Sequence, residues 1–183
     1  LRSCYKEAEI IVVDDGSTDD TLNLANSVKG IVVLSHKRNR GYGAALKTAI
    51  RSTKRKAVVW FDADGQHRVE DLEKVVQPVL EGSMDAVIGA RGKGSEVSMD
   101  RLPGKLILKF VSELLVGESI PDLNSGLRCF RTDVITRYLH LLPDGFSAST
   151  TSTLLMMKRG YRLDFTEIIS KKRIGHSTVN IVS

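Results

Sequence analysis

Short runs rich in Val and Ile alternate with helical patterns through the first half of this chain, and that rhythm constrains the fold more than any other feature. Residues 9–13, 31–35, 57–61 and 86–90 read as strands, and residues 18–28, 42–52 and 69–80 as helices. Strands separated by helices of about 10–15 residues predict βαβ units on a mostly parallel sheet with helices on its faces. After residue 90 the rhythm changes. Residues 91–101 are polar and contain Gly and Ser, and residues 102–116 predict a helix with an apolar stripe (Leu102, Leu106, Phe110, Leu114) and cations at Lys105 and Lys109. Such a helix packs on the sheet or lies in a membrane interface with its lysines at the headgroups; packing is the commoner outcome and is expected here. A strand over 125–130, helices over 132–141 and 149–158, a strand over 162–169 and a basic tail from residue 170 complete the pattern.

At 183 residues the chain fits one domain with a real core. Its apolar share of 42 % and charged share of 27 % are those of a globular protein. The net charge of +5 suits anionic partners such as nucleotides, lipid phosphates or an anionic membrane face. Nucleic acid is not expected, because the basic residues are scattered and aromatic residues make up only 5 %. Cys4 and Cys129 lack any metal-ligand spacing and read as reduced, buried thiols of a cytosolic protein. No uncharged apolar stretch approaches the ~18 residues of a membrane span, and no signal peptide is visible. The chain opens without Met and runs within ten residues into a strand-like segment, which suggests a truncated or partly ordered chain.

The motifs sit at strand ends, where open α/β sheets bind ligands. The third strand stops on Asp62, Ala63 and Asp64, with Gln66 and His67 just beyond. Two carboxylates there supply hard oxygen ligands, and Mg²⁺ or Mn²⁺ bridges such carboxylates to substrate phosphates. His67, next to a helix start, reads as structural. The first strand ends on Asp14 and Asp15; Ser17 and Asp20 match a capping box, but that leaves the acid pair unexplained. A carboxylate at that point accepts hydrogen bonds from uracil or guanine, or merely organises a loop. Asn39, Arg40, Gly41, Tyr42, Gly43, Ala44 and Ala45 open the second helix as a partial dinucleotide fingerprint, which Leu46 at the third position argues against. Asp122, Ser125, Gly126, Arg128 and Arg131 combine an acid, a flexible Gly and two arginines that suit phosphate, or form a solvated turn.

Taken together, the runs at 12–19, 39–45, 62–67 and 122–131 resemble the family 2 inverting glycosyltransferases of GT-A (Rossmann-like) fold, and among them the polyprenyl-phosphate sugar transferases of the dolichol-phosphate mannose synthase type. The resemblance runs from about residue 9 to residue 177. It implies one GT-A domain over 1–183, with a nucleotide-binding half at 1–95 and an acceptor-binding half at 96–183. It assigns Asp14, Asp15, Asn39, Gly41, Asp62 and Ala63 to the nucleotide, and Asp62, Asp64 and Gln66 to Mg²⁺ or Mn²⁺. Arg91, Arg101, Ser125 and Arg128 fall to the acceptor phosphate, with Asp122 and Arg128 as catalytic candidates. Residues 173–177 look like the family's closing signature near the membrane, although Thr178 stands where Lys often follows. The family's first strand and its loop are absent from the chain.

Residues 146–151 stand where many relatives that glycosylate sugar hydroxyls carry an acidic pair. A hydroxyl nucleophile needs a general base, whereas a lipid phosphate is already ionised. The resemblance therefore implies a metal-dependent inverting transfer of sugar from a UDP- or GDP-sugar to a polyprenyl or dolichyl phosphate, at the cytosolic face of a membrane. The alternative within the class is a hydroxyl acceptor in polysaccharide synthesis. An oxidoreductase built on Gly41 and Gly43 and a non-catalytic nucleotide-sugar module are the other rivals. A homo-oligomer is possible on either reading.

Overall fold

The computed structural model describes residues 1–62, 64–92, 95 and 102–171, with the side chains of residues 102–106 left aside. Among the described residues six strands and six helices follow in the order β1 (Ile11–Asp14), α1 (Thr21–Ser27), β2 (Val32–Ser35), α2 (Tyr42–Ser52), β3 (Ala57–Trp60), α3 (Leu72–Leu80), β4 (Ala86–Arg91), α4 (Leu102–Val116), β5 (Arg128–Arg131), α5 (Thr132–Arg137), α6 (Ala148–Lys158) and β6 (Leu163–Ile168). A 3₁₀ turn over Val69–Asp71 leads into α3. The helix expected over 132–141 is shorter, ending at Arg137.

The strands form two ladders. β1 and β2 pair in parallel, and a four-stranded sheet runs in the order β3-β5-β4-β6. β4 and β6 are parallel, but β5 is antiparallel to both β3 and β4. The expected sheet is therefore mixed. Direction is invisible to hydrophobic pattern, because alternation of side chains is the same either way along a strand.

That reversed strand positions the site. Trp60 and Ile88 are both opposite Arg128, so the carboxyl ends of β3 and β4 meet the amino end of β5. Arg91 pairs with Ile168 at the end of β6. Asp62, Arg91, the 122–127 loop and the exit of β6 thus gather on one edge of the sheet.

Each strand presents alternate residues to two cores. Phe130 and Ala86 join Ile50, Trp60, Ile135 and Met156 on the face covered by α2, α5 and α6. Cys129 and Val87 join Leu72, Val75, Val79 and Ile168 on the α3 face. Leu72, Val75 and Val79 recur at helical spacing, which is why α3 packs there. Of the two thiols expected inside, only Cys129 is buried, and burial pushes its pKa up to about 12; Cys4 is exposed.

Candidate active site

Asp62 lies two residues past the end of β3, where the strand's apolar run carries it to the sheet edge. Its Oδ1 accepts a hydrogen bond from the Tyr42 hydroxyl at 3.0 Å. On its other side Gly126 approaches so closely that a Cβ there would collide with the Asp62 carboxylate. Burial raises the pKa of Asp62, the Tyr42 hydrogen bond opposes that rise, and the charge of Asp64 adds to it. Tyr42 is itself raised, by burial first and then by Asp62. Its ring stacks on Phe146 at 5.6 Å between centroids.

Asp64 Oδ1 accepts the Gln66 backbone N–H at 3.1 Å. The Gln66 side chain donates to the Lys171 carbonyl at 3.3 Å, and the Lys171 N–H returns to the Gln66 carbonyl at 2.9 Å. This exchange ties the carboxylate loop to the chain leaving β6. His67 lies amid the charges of Asp62, Asp64, Arg91 and Asp122, and burial lowers its pKa. Its Nδ1 is buried with no hydrogen-bond partner among the described residues.

Among the described residues no three His, Cys, Asp or Glu side chains form a metal cage. A divalent ion does not need one when substrate phosphates and water complete its shell around one or two carboxylates. Asp62 and Asp64 are such a donor set, with Gln66 beside them. The burial penalty on the Asp62 charge and the orphaned His67 nitrogen are both features a cation or its bound water would relieve. The residues fit the ion.

Arg91 and Asp122 form a bidentate pair, Nε to Oδ2 at 2.6 Å and Nη2 to Oδ1 at 2.8 Å. The Arg91 and Asn124 backbone N–H groups also donate to this carboxylate. Burial pushes the pKa of Asp122 up, but the Arg91 hydrogen bonds and charge outweigh it and hold the carboxyl below its usual range. As a catalytic candidate Asp122 is thus ill suited to act as a base, and its geometry is that of a group that orients Arg91. Arg91 keeps its charge and has Nη1 left over from the pair.

Arg128 corrects a second expectation. It is 0 % exposed, so its guanidinium has no surface from which to grip an acceptor. Nε donates to the Ser125 carbonyl at 2.6 Å, Nη2 to the Leu123 carbonyl at 2.8 Å, and Nη1 to the Ser149 carbonyl at 2.6 Å and the Thr153 hydroxyl at 2.8 Å. Burial lowers its pKa to about 10. It is a strut joining the 122–125 loop to α6. Ser125 is buried as well, with its hydroxyl accepting the Leu127 N–H at 3.3 Å.

The acids expected at the base are also committed within the fold. Asp15 accepts from His36 Nδ1 at 2.6 Å, the Arg40 N–H at 2.9 Å and the Gly41 N–H at 2.7 Å. Its oxygens staple the loop before α2, so Asp15 has little capacity left for a base. Asp14 accepts from the Ser17 N–H at 3.3 Å and the Ser35 hydroxyl at 3.2 Å, and hydrogen bonding from the Ser17 side chain leads in lowering its pKa. Asn39 is exposed beside the backbone of Gly16. Gly41, with φ of 101°, and Gly43 let the 143–144 backbone approach α2, so the partial dinucleotide fingerprint serves packing. Ala63, Arg101 and the 173–177 signature lie outside the described residues.

Sequence reasoning missed Tyr42, His36 and the hydroxyl face of α6. His36 Nε2 reaches the Thr48 hydroxyl at 2.8 Å, linking Asp15 to α2. Its position at the end of β2, matching that of the acids at the end of β1, was the available signal. Ser149, Ser152 and Thr153 are buried although polar, and nothing in their spacing names the arginine they receive.

Comparison with known proteins then places the chain. The family described as Glycosyl transferase family 2 matches residues 1–139. An uncharacterized protein of Methanocaldococcus jannaschii is 36 % identical over 173 residues, covering 89 % of this chain and 71 % of that one. The UDP-N-acetylglucosamine–dolichyl-phosphate N-acetylglucosaminyltransferase of Methanococcus voltae is 32 % identical over 144 residues, covering 66 % of this chain and 57 % of that one. The crystal structure of Mycobacterium tuberculosis glucosyl-3-phosphoglycerate synthase in complex with Mn²⁺, uridine diphosphate and glucosyl-3-phosphoglycerate superposes with a TM-score of 0.72 at 21 % identity, covering 92 % of this chain and 62 % of that one. The chain thus spans a little over half to about seven tenths of the length of these relatives.

Proposed function

The chain belongs to glycosyl transferase family 2 and has the GT-A fold, and from that premise we propose that it transfers a sugar from a nucleotide sugar to a polyprenyl phosphate, with inversion, at the cytosolic face of a membrane. A relative named for transfer to dolichyl phosphate supports the acceptor class. The observation that carries the reading is the Arg91–Asp122 ion pair, whose charges act on His67 together with those of Asp62 and Asp64. A carboxylate given to an arginine and held ionised is a poor general base, and a phosphate acceptor requires none.

Each residue then has a physical task. Asp62 and Asp64, with Gln66, would hold Mg²⁺ or Mn²⁺, which supplies Lewis-acid charge against the departing nucleoside diphosphate. Tyr42 fixes the rotamer of Asp62 through its hydroxyl. Arg91 offers Nη1 to the acceptor phosphate while Asp122 keeps the guanidinium in place. Arg128 holds the 122–125 loop, and therefore Asp122, at the distance that alignment requires. The phosphate oxygen forms a bond to the anomeric carbon as the bond to the diphosphate breaks on the opposite face. No proton moves. Asp14 and the 39–41 loop, at the end of the β1–β2 ladder, border the place for the base.

The test is product analysis with a panel of UDP- and GDP-sugars, Mn²⁺ and a polyprenyl phosphate. An acid-labile glycolipid in which sugar and lipid share one phosphate is expected. An elongated glycan, or transfer only to saccharide hydroxyls, would overturn the assignment.

A further inference from the structure

The reversed direction of β5 turns one carboxyl strand end toward the edge of the sheet opposite Asp62 and Arg91. There Arg131, at the end of β5, pairs with Ala57, at the start of β3. The α2–β3 connection and the junction of β5 with α5 therefore meet at that edge. Between them opens a cavity of about 570 Å³, within the range of about 300–1,000 Å³ usual for small-molecule sites. Lys54, Arg55, Lys56, Arg131 and Thr132 line it, with Leu80 from the end of α3 as an apolar wall. The transfer site is well removed, since β3 alone puts about 10 Å between Ala57 and Trp60.

The charges around this cavity do not balance. Its one carboxylate, Asp133, is already matched, accepting from Arg131 Nε at 3.1 Å and Nη2 at 2.9 Å. Arg131 gives its remaining nitrogen, Nη1, to Asp85 at 3.0 Å. Lys54, Arg55 and Lys56 are exposed, and none of the three pairs with an acid among the described residues. Three adjacent like charges repel one another, and an anion among them removes that cost. The backbone that carries them is pinned. The Thr53 hydroxyl accepts the Arg55 N–H at 3.2 Å and donates to Glu9 at 2.6 Å, and the Lys56 carbonyl accepts the Thr132 N–H at 2.9 Å. Thr132 supplies a second, independent signal. Its hydroxyl oxygen is buried with no hydrogen-bond partner among the described residues, a state that native hydroxyls rarely keep.

We propose that this cavity is a second binding site, separate from the transfer site, for a compact, soluble, phosphate-bearing ligand. Lys54, Arg55 and Lys56 donate charge-assisted hydrogen bonds to phosphate oxygens, the Thr132 hydroxyl gains the partner it lacks, and Leu80 lies against the ligand's body. Arg131 thereby finds a place that Arg128 does not share. The run at 122–131 suits phosphate by its arginines, but Arg128 is spent as a strut and Arg131 frames the far edge. A concave site of this size favours a small molecule over nucleic acid, whose phosphate array needs an extended basic surface.

The test uses the full chain and inorganic pyrophosphate in EDTA, where the metal-dependent transfer site is silent, with affinity read by calorimetry. Wild type should bind one pyrophosphate. Lys54→Glu/Lys56→Glu should bind it about 10–100-fold more weakly. Lys6→Glu/Lys29→Glu, the same change of net charge at two exposed lysines elsewhere, should stay within about threefold of wild type. Thr132→Val should weaken binding about three- to tenfold yet melt no lower than wild type, because the fold leaves that hydroxyl unpaired. Thermal melting checks that every variant folds. Wild type that binds no pyrophosphate would overturn the proposal. So would an equal loss in both lysine pairs, which reduces the site to net charge, or a loss in Arg91→Ala, which puts the anion in the transfer site. Capture by phosphatidylglycerol vesicles through Lys54 and Lys56, in place of pyrophosphate, would overturn it as well.

Discussion

Replacing Arg128 with Met keeps most of the side chain's length and removes the guanidinium. The Leu123 and Ser125 carbonyls then lose their arginine donors. The Ser149 carbonyl retains the Ser152 and Thr153 hydroxyls at 2.8 and 3.2 Å, so it is not orphaned. Two buried acceptors left unsatisfied cost about 1–3 kcal/mol each. Against that, the native fold carries the penalty of burying a charge with no carboxylate in ion-pair contact among the described residues. Its pKa of about 10 corresponds to roughly 3 kcal/mol relative to an ordinary arginine, and Met recovers much of it. The expected net destabilisation is about 1–3 kcal/mol, a melting temperature lower by about 3–9 °C. Arg128→Ala adds a cavity and should cost about 3–5 kcal/mol. Urea unfolding followed by circular dichroism measures both. Metal-dependent donor binding by Arg128→Met, read by calorimetry, should stay within about threefold, while kcat falls on the order of 100-fold because the loop bearing Asp122 is no longer held. Unchanged stability together with a raised acceptor KM and a normal kcat would refute this reasoning, since that pattern belongs to an arginine touching the acceptor.

Further outcomes follow from the same geometry. Gly126→Ala should force the Asp62 carboxylate off the Tyr42 hydroxyl and weaken Mn²⁺ binding about 10–100-fold in a fold that still melts cooperatively; unaltered Mn²⁺ affinity would contradict the close approach. Tyr42→Phe should weaken the metal on the order of tenfold and leave the melting temperature within a few degrees, which calorimetry and melting check together. Asp85, at the other end of β4, has its pKa lowered to about 2, first by hydrogen bonding from Arg162. A depressed carboxyl contributes stability that is fully present above its ordinary pKa near 4 and is lost as pH falls toward 2. With the Arg131 and Arg162 side chains 40 % and 53 % exposed, about 1 kcal/mol is expected from it after solvent screening. Urea midpoints should fall between pH 4 and pH 2 in wild type and by less in Asp85→Asn.

Much of the fold was legible because pattern and packing agree. The bounds of α2 and α4 coincide with the expected 42–52 and 102–116, where apolar periodicity is uninterrupted. Orientation was not legible. Nothing in the β5 residues encodes a reversed strand, and nothing in the α4 pattern says that Phe110 and Leu114 stand exposed. The carboxylates beyond β3 stood out in the sequence because strand-end acids have no structural need to come in pairs. Arg128 was misplaced for a physical reason. An arginine in a Ser- and Gly-containing run reads as solvated, and only the fold shows that five neighbouring oxygens replace water around it. Asp15 was misjudged likewise, since its His36 and Gly41 partners are distant in sequence.

Calorimetric titration of uridine and guanosine diphosphates with and without Mn²⁺, in wild type and in Asp64→Ala, tests the central claim most directly. Wild type should bind one nucleotide tightly and only with the metal, and Asp64→Ala should lose the metal-dependent component while melting normally. Undiminished Mn²⁺-dependent binding in Asp64→Ala would contradict the role given to the paired carboxylates.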